Sequence, residues 1–292
     1  MLVFGSAAVD SQQALVVEGG AMRGIFAAGV LDELTRAHHF PYAFCLGVSA
    51  GATALAAYLS GQVGRTYKVI TDISCRKEFI SLPRFLRGGH WLDLDWLWPV
   101  SLTELPFDMT TLWQRQIPLF IVTTRVSDGA ACYFNAAENP DSVMTIAKAS
   151  CSVPLAYRDF VLLDGEAHTD GGVADSIPVI EAYRRGARQI TVVLSRPWGY
   201  RKRATRYPWL LKQLLREQPA LVNAMLKRHE HYNATLDFIT TPPPDCQICV
   251  LTPPAEFTVG RLTRDKVHLQ QGYEQGAQAA QSYLQMMKSK FE

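Results

Sequence analysis

Short apolar runs rich in β-branched residues alternate along this chain with longer stretches in which apolar residues recur every three to four positions. The first run, 14–18, ends in Gly19-Gly20, and from residue 23 to 34 the sequence turns helical with Phe26, Val30, Leu31 and Leu34 on one face. After Pro41 the theme repeats: 44–48 is a buried strand, a glycine-flanked turn follows, and 50–59 is a small-residue helix that stops at Gly61. Strand, glycine turn and helix in succession predict parallel strands beneath helices.

Between 88 and 113 the periodicity lapses around Trp91, Trp96, Trp98 and Trp113, with Pro99 and Pro106 as breaks. Such a segment suits a cap over a pocket, an interfacial anchor or a plain structural insertion. Regular structure resumes with a strand at 119–124, a partner at 131–134 across Ser127-Asp128-Gly129, and a helix from Asn139 or Asp141 to Ser150, with Asp141 as cap or first-turn acid. The run 160–163 leads into Asp164-Gly165 and, soon after, Asp170-Gly171-Gly172, which predicts a hairpin whose far end carries an exposed carboxylate. A helix over 177–186 with Pro178 in its first turn, a strand at 189–194, two helices within 207–237 broken near Pro219, a strand at 248–251 and a helix over 261–288 complete the pattern. The fold class is α/β, three layers (α/β/α) around a largely parallel central sheet.

The totals narrow the partners. With 292 residues, 48% hydrophobic and 19% charged, the composition is that of a globular protein, and a net charge of +2 gives no reason to expect nucleic acid. Charge is uneven locally: Arg201, Lys202, Arg203, Arg206 and Lys212 lie between Arg196 and Arg216 with no acid among them, which suits either an anionic surface or a solvated face. Six scattered cysteines point to a reducing compartment, and Cys246-Gln247-Ile248-Cys249 lacks the second ligand pair of a zinc site. Neither a signal peptide nor ~18 continuous apolar residues is present, so the expectation is a cytoplasmic protein whose contact with the inner face of the membrane is peripheral at most. No metal and no organic cofactor is implied, and the oligomeric state is open.

Two glycine-rich turns carry the candidate chemistry. Gly47-Val48-Ser49-Ala50-Gly51 sets a hydroxyl at a strand-to-helix turn between glycines, the form of a nucleophile elbow. Upstream, Gly19-Gly20-Ala21-Met22-Arg23-Gly24 joins a strand to a helix N-terminus and directs backbone N–H groups outward, ready for a phosphate or for the oxyanion of acyl transfer. A dinucleotide site would need an acid at the end of the second strand, which instead ends in Gly47-Val48-Ser49.

These two loops, with Asp170-Gly171-Gly172 after them, resemble in order and spacing the G-G-G-x-[RK]-G, G-x-S-x-G and D-G-[GA] motifs of bacterial patatin-like phospholipases, a likeness that covers roughly residues 14 to 195. The tail, with Val259-Gly260-Arg261 and the closing helix, resembles the C-terminal extension of one bacterial branch. The resemblance implies a catalytic domain over 1–240, including the tryptophan-rich insertion 88–113, and a strand-helix extension over 241–292 packed on it. It implies a Ser-Asp dyad, with Ser49 as nucleophile and Asp170 as base, and an oxyanion loop of Gly19, Gly20, Ala21, Arg23 and Gly24. The substrate it implies is a lipid acyl ester, phospholipid or lysophospholipid. Two residues depart from the motifs: Ala21 stands at the third glycine, a strained choice if φ is positive, and Ser176 stands where asparagine is frequent. Asp164 is the rival base, less suited because the glycines that allow close approach follow Asp170. A Ser-His-Asp triad using His229, His231 or His268, and a catalytically silent lipid-binding protein, are the alternatives. His168 is expected to be structural.

Overall fold

The computed structural model describes residues 1–8 and 11–289. β1 (Leu2–Gly5) precedes two strand–helix units, β2 (Gln13–Val17) with α1 (Gly24–Arg36) and β3 (Phe44–Val48) with α2 (Ala50–Leu59). A helical excursion follows as α3 (Arg65–Lys68), α4 (Leu82–Leu86), α5 (Leu94–Glu104) and α6 (Met109–Gln114). Then come β4 (Leu119–Arg125), β5 (Ala131–Asn135), α7 (Val143–Cys151), β6 (Val161–Leu163), β7 (Glu166–Asp170) and α8 (Val179–Arg184). The chain continues through β8 (Gln189–Val193), α9 (Pro208–Leu214), α10 (Pro219–Thr240), β9 (Gln247–Leu251) and α11 (Lys266–Ser289).

Among the described residues nine strands form one sheet, in the order β1-β9-β8-β2-β3-β4-β7-β6 with β5 also on β4. The five central strands from β9 to β4 are parallel, and the pairs at either flank are antiparallel. Central strands are apolar on both faces, as a doubly covered sheet requires. Leu15 and Val17 pack with Phe26 and Val30 of α1 and Leu55 of α2, whereas Ala14 and Val16 pack with Ala182 of α8 and Leu236 of α10. The result is the three-layer α/β/α arrangement expected from the pattern.

Helix α11 lies closely along α1. A Cβ on Gly29 would come within 2.0 Å of Tyr273 O, and one on Gly276 within 2.1 Å of Phe26 O, so only glycine permits this crossing. Together with β9 in the sheet, this contact makes the C-terminal strand and helix continuous with the rest of the core. No helix among the described residues is long and apolar enough to cross a membrane.

Several elements differ from expectation. The 88–113 segment folds into α5 and α6, and Pro99 lies inside α5 rather than ending it. Proline removes one backbone donor there, but the helix is held by an Asp93 cap on Trp96 N (3.1 Å) and by burial of Leu94 and Leu97. All four tryptophans are partly buried against the core, and the Trp98 indole donates to Met144 O at 2.9 Å. Helix α7 begins at Val143 without Asp141 as a cap; the preceding turn is capped instead by Asn135, which accepts from Ala137 N. Helix α11 starts at Lys266, not 261, because Asp265 accepts from Val267 N and His268 N and closes its first turn. Strand β1 has no counterpart in the sequence pattern, because four residues on a sheet edge carry too little of it. Cys246 precedes β9 and Cys249 lies within it; they pack into opposite faces of the sheet, which rules out a shared metal.

Candidate active site

Ser49 follows β3 with φ 53° and ψ −128°, a conformation strained by roughly 1–3 kcal/mol for a non-glycine residue. Its surroundings enforce it. Ser49 N–H donates to Ser150 Oγ (2.8 Å), and that hydroxyl donates to Val122 O (2.6 Å), tying the elbow to α7 and β4. The flanking glycines are sterically required: a Cβ on Gly47 would lie 2.5 Å from Ala52 Cα, and one on Gly51 2.5 Å from Val17 O.

Asp170 ends β7 and is 5% exposed, contrary to the exposed carboxylate expected at the end of the hairpin. The reason is tertiary: β7 pairs with β4, setting Asp170 opposite Thr123 inside the sheet. Its N–H donates to Ser152 O (3.1 Å), and its Oδ1 accepts from Gly172 N (2.7 Å). Gly171 allows the approach, since a Cβ there would be 2.1 Å from Val122 O. Burial raises the Asp170 pKa above the ordinary carboxylate value, opposed by the charge of Arg228, the Gly172 N–H and the neighbouring Ser49 side chain. Asp164 sits exposed in the β6–β7 turn with φ 51°, at the opposite end of the hairpin.

The first glycine loop passes beside the elbow. A Cβ on Gly19 would fall 2.9 Å from Ser49 Cβ, and one on Gly20 2.8 Å from Ser195 Cβ. Ala21 has φ 50°, so this alanine does occupy the left-handed region. Gly19, Gly20 and Ala21 line the site, whereas Arg23 and Gly24 sit behind it, with Gly24 packed toward Ala50. Arg23 is 2% exposed; burial lowers its pKa to about 10 against the opposing charge of Glu18, and its Nε and Nη1 have no hydrogen-bond partner. Glu18 is held by Ser195 N (2.7 Å) and the Tyr232 hydroxyl (3.2 Å).

Two cavities meet at Ser49. One, about 120 Å³, is apolar and runs beneath α5 past Leu94, Leu97, Trp98 and Met144. The other, about 230 Å³, contains Asp170, Gly20, Ser176, Arg228 and Arg261. Ser49, Ala21, Leu92, Val153 and Arg261 belong to both. Among the described residues no histidine lines either cavity. His168 is buried with Nδ1 2.9 Å from Thr123 Oγ1, His229 has Nδ1 on Leu226 O, and His268 stands near Asp265 on the surface.

A family model described as patatin-like phospholipase matches residues 15–183. The chain belongs to this family. It is thereby a lipid ester hydrolase. A second family model, a domain of unknown function (DUF6363), matches residues 218–292 and so takes in α10 as well as β9 and α11. The uncharacterized protein YjjU of Escherichia coli K12 is 38% identical over 252 residues, covering 82% of this chain and 68% of that protein. Lysophospholipase NTE1 of Lodderomyces elongisporus is 27% identical over 194 residues, which are 61% of this chain but only 12% of that much longer protein. The solved structure of VipD from Legionella pneumophila shares the fold, with TM-score 0.50 and 14% identity over 96% of this chain and 70% of that one.

Within this patatin-like frame several site residues carried no signal in the sequence. Ser150 supports the elbow and Ser152 supports Asp170, both from the end of α7, yet neither belongs to a recognisable motif. Arg228 faces Asp170 from the middle of α10, where it reads as one more solvent-facing base. Ser176, the departure noted above, donates to Gly172 O at 2.7 Å and so still braces the turn after Asp170.

Proposed function

We propose that this patatin-like protein hydrolyses lipid acyl esters through a Ser49–Asp170 dyad and an acyl-enzyme. The observation that carries the reading is the position of Ser49: on a strained elbow, beside the buried carboxylate of Asp170, at the junction of an apolar and a polar cavity. Asp170 takes the hydroxyl proton as Ser49 Oγ bonds to the ester carbon, and the carbonyl electrons move to oxygen. Collapse of that oxyanion expels the alcohol, which recovers the proton from Asp170. Water then attacks the acyl-enzyme carbonyl as Asp170 takes its proton, and collapse of the second oxyanion breaks the bond to Ser49 Oγ, which recovers that proton from Asp170 as the carboxylic acid leaves. A carboxylate is a weak base for a hydroxyl, and the raised Asp170 pKa narrows that mismatch.

Backbone N–H groups of Gly20 and Ala21 are assigned to the oxyanion, a contribution of about 10²–10³ in rate per donor in comparable sites. Ala21 keeps the left-handed shape that a glycine would take, so the substitution leaves the loop intact at a cost of roughly 1 kcal/mol. The apolar cavity takes the acyl chain. A lysophospholipid or phospholipid substrate fits this division, and the likeness to a protein named lysophospholipase supports it. In the same reading residues 1–240 are the catalytic domain and 241–292 its extension. Peripheral lipid contact falls to α9, where Trp209 (62% exposed), Leu210 and Leu214 stand beside exposed Arg203, Arg206 and Lys212.

A fluorophosphonate probe tests the nucleophile. Labelling of the native protein that disappears in Ser49→Ala is expected; a native protein that takes no label overturns the assignment.

A further inference from the structure

A buried cation stands at the far end of the apolar cavity. Ala50, Thr53 and Ala56 line that cavity from one face of α2, whose ten residues extend about 15 Å away from Ser49. Helix α5 covers the same length: Leu92, just before it, belongs to both cavities at Ser49, whereas Ser101 and Leu102, in its second half, line the apolar cavity alone. Beyond α2, Gln62 Nε2 donates to Pro106 O (2.9 Å) and Gln62 Oε1 accepts from Asp108 N (3.1 Å), which joins the end of α2 to the chain after α5. Arg65 opens α3 at this end and lines the cavity. Its Nε donates to Leu105 O (2.9 Å), and its guanidinium carbon lies 3.3 Å from the centre of the Phe107 ring.

These contacts hold the Arg65 side chain without neutralising it. The residue is 7% exposed, and among the described residues it forms no salt bridge within 4.0 Å. Leu105 O satisfies one donor, while Nη2 is buried without a hydrogen-bond partner. The carbonyl end of α5 supplies about half an elementary charge at most. Burial alone lowers the Arg65 pKa to about 10, whereas for the buried Arg23 and Arg228 the charges of Glu18 and Asp170 oppose that effect. Arg65 therefore stays charged near neutral pH, inside an apolar chamber and with no counter-charge. A saturated hydrocarbon chain gains nothing from such a group, and an apolar side chain would line the same wall without the desolvation cost. A ligand with an anion at this depth removes the cost through charge-assisted hydrogen bonds.

We propose that Arg65 is an anion-binding subsite for the far end of the acyl chain, so that the preferred substrates are monoesters of dicarboxylic acids, with the ester carbonyl at Ser49 and the free carboxylate on Arg65. The inference rests on the acyl-hydrolase reading and goes beyond it by specifying the acyl portion. Arg65 takes no part in bond cleavage; it selects which chain occupies the cavity, and hydrolysis releases the alcohol and the free diacid. An extended carbon chain advances about 1.3 Å per bond, so a chamber about 15 Å long suits a chain of roughly twelve carbons.

Nitrophenyl esters of equal chain length separate charge from length: the monoester of dodecanedioic acid, the same compound with its free carboxyl methylated, and the dodecanoate. In the full-length enzyme kcat/KM should be at least about tenfold higher for the charged monoester than for either uncharged ester, with the difference in KM. Arg65→Leu should reverse the order, lowering kcat/KM for the monoester and raising it for the dodecanoate, a gain that a misfolded protein does not show. Arg65→Lys, which retains the charge, should keep more of the preference than Arg65→Leu. Binding is read separately by calorimetric titration of the full-length Ser49→Ala protein, which should take monomethyl dodecanedioate at least about tenfold more tightly than methyl dodecanoate or dimethyl dodecanedioate. Equal turnover of charged and uncharged esters, or a preference that survives Arg65→Leu, overturns the subsite and leaves ester hydrolysis standing. Dimethyl dodecanedioate that binds as tightly as the monomethyl ester overturns the requirement for an anion. Arg65-dependent binding of monomethyl dodecanedioate without turnover of any ester retains the subsite and removes the hydrolase reading.

Discussion

The two sides of Ser49 are built on different principles. Beneath α5 the wall is assembled from Leu94, Leu97, Trp98 and Met144, side chains that exclude water and define a volume. On the opposite side, α10 and the chain before α11 bring Arg228 and Arg261 toward Asp170, and the wall defines a field. An apolar wall discriminates by length and shape, at ~1–3 kcal/mol per methylene misfit. A charged wall discriminates by the presence or absence of a partner, and it also sets the basicity of Asp170 by opposing its desolvation. The lesson is that one serine serves an amphipathic substrate because its neighbours come from two unrelated parts of the chain.

The largest expected effect lies on the charged side. Asp170→Asn should lower ester turnover about a thousandfold, with Asp164→Asn within twofold of the native enzyme. If Asp164→Asn causes the loss instead, the polar side has been drawn around the wrong carboxylate. For the native enzyme, kcat/KM should fall as the pH drops through the Asp170 pKa, because the base must be ionised. Burial raises that pKa, so the limb should lie above the ordinary carboxylate range, and a His229→Gln variant should leave it in place.

On the apolar side, Leu97→Trp should fill the cavity beneath α5. It is expected to lower kcat/KM for a sixteen-carbon ester about ten- to a hundredfold relative to a two-carbon ester; loss of both to the same degree would show that the acyl chain runs elsewhere. The join between the sides is tested by Gly276→Ala, which forces α11 away from α1 and should cost roughly 2 kcal/mol in denaturant unfolding. No change would mean that the placement of Arg261 does not depend on that crossing. The smallest effect is a gain: Ala21→Gly should stabilise the protein by about 1 kcal/mol by relieving the left-handed alanine, read as a higher urea midpoint.

Much of this was legible from residue order. The central strands, the elbow at Ser49 and the hairpin before Asp170 follow from short apolar runs and glycine placement, both local in sequence. The tryptophan-rich segment was not legible, because its periodicity is interrupted by Pro99 and Pro106 while its helices are stabilised by what they cover. Asp170 was recognised by its glycines, but its burial was not, since that depends on β7 pairing with β4 some 45 residues away in sequence. Ser150 and Arg228 gave no sign at all.

The sequence by itself therefore determined where the backbone must turn sharply and which residues stand at those turns, because steric limits on φ and the need to bury apolar runs act over a few residues. Only the tertiary structure decided which carboxylate is dry, which arginines face it and which side chains wall the apolar cavity. Those properties arise from desolvation and charge among groups that are distant along the chain, and no local pattern encodes them.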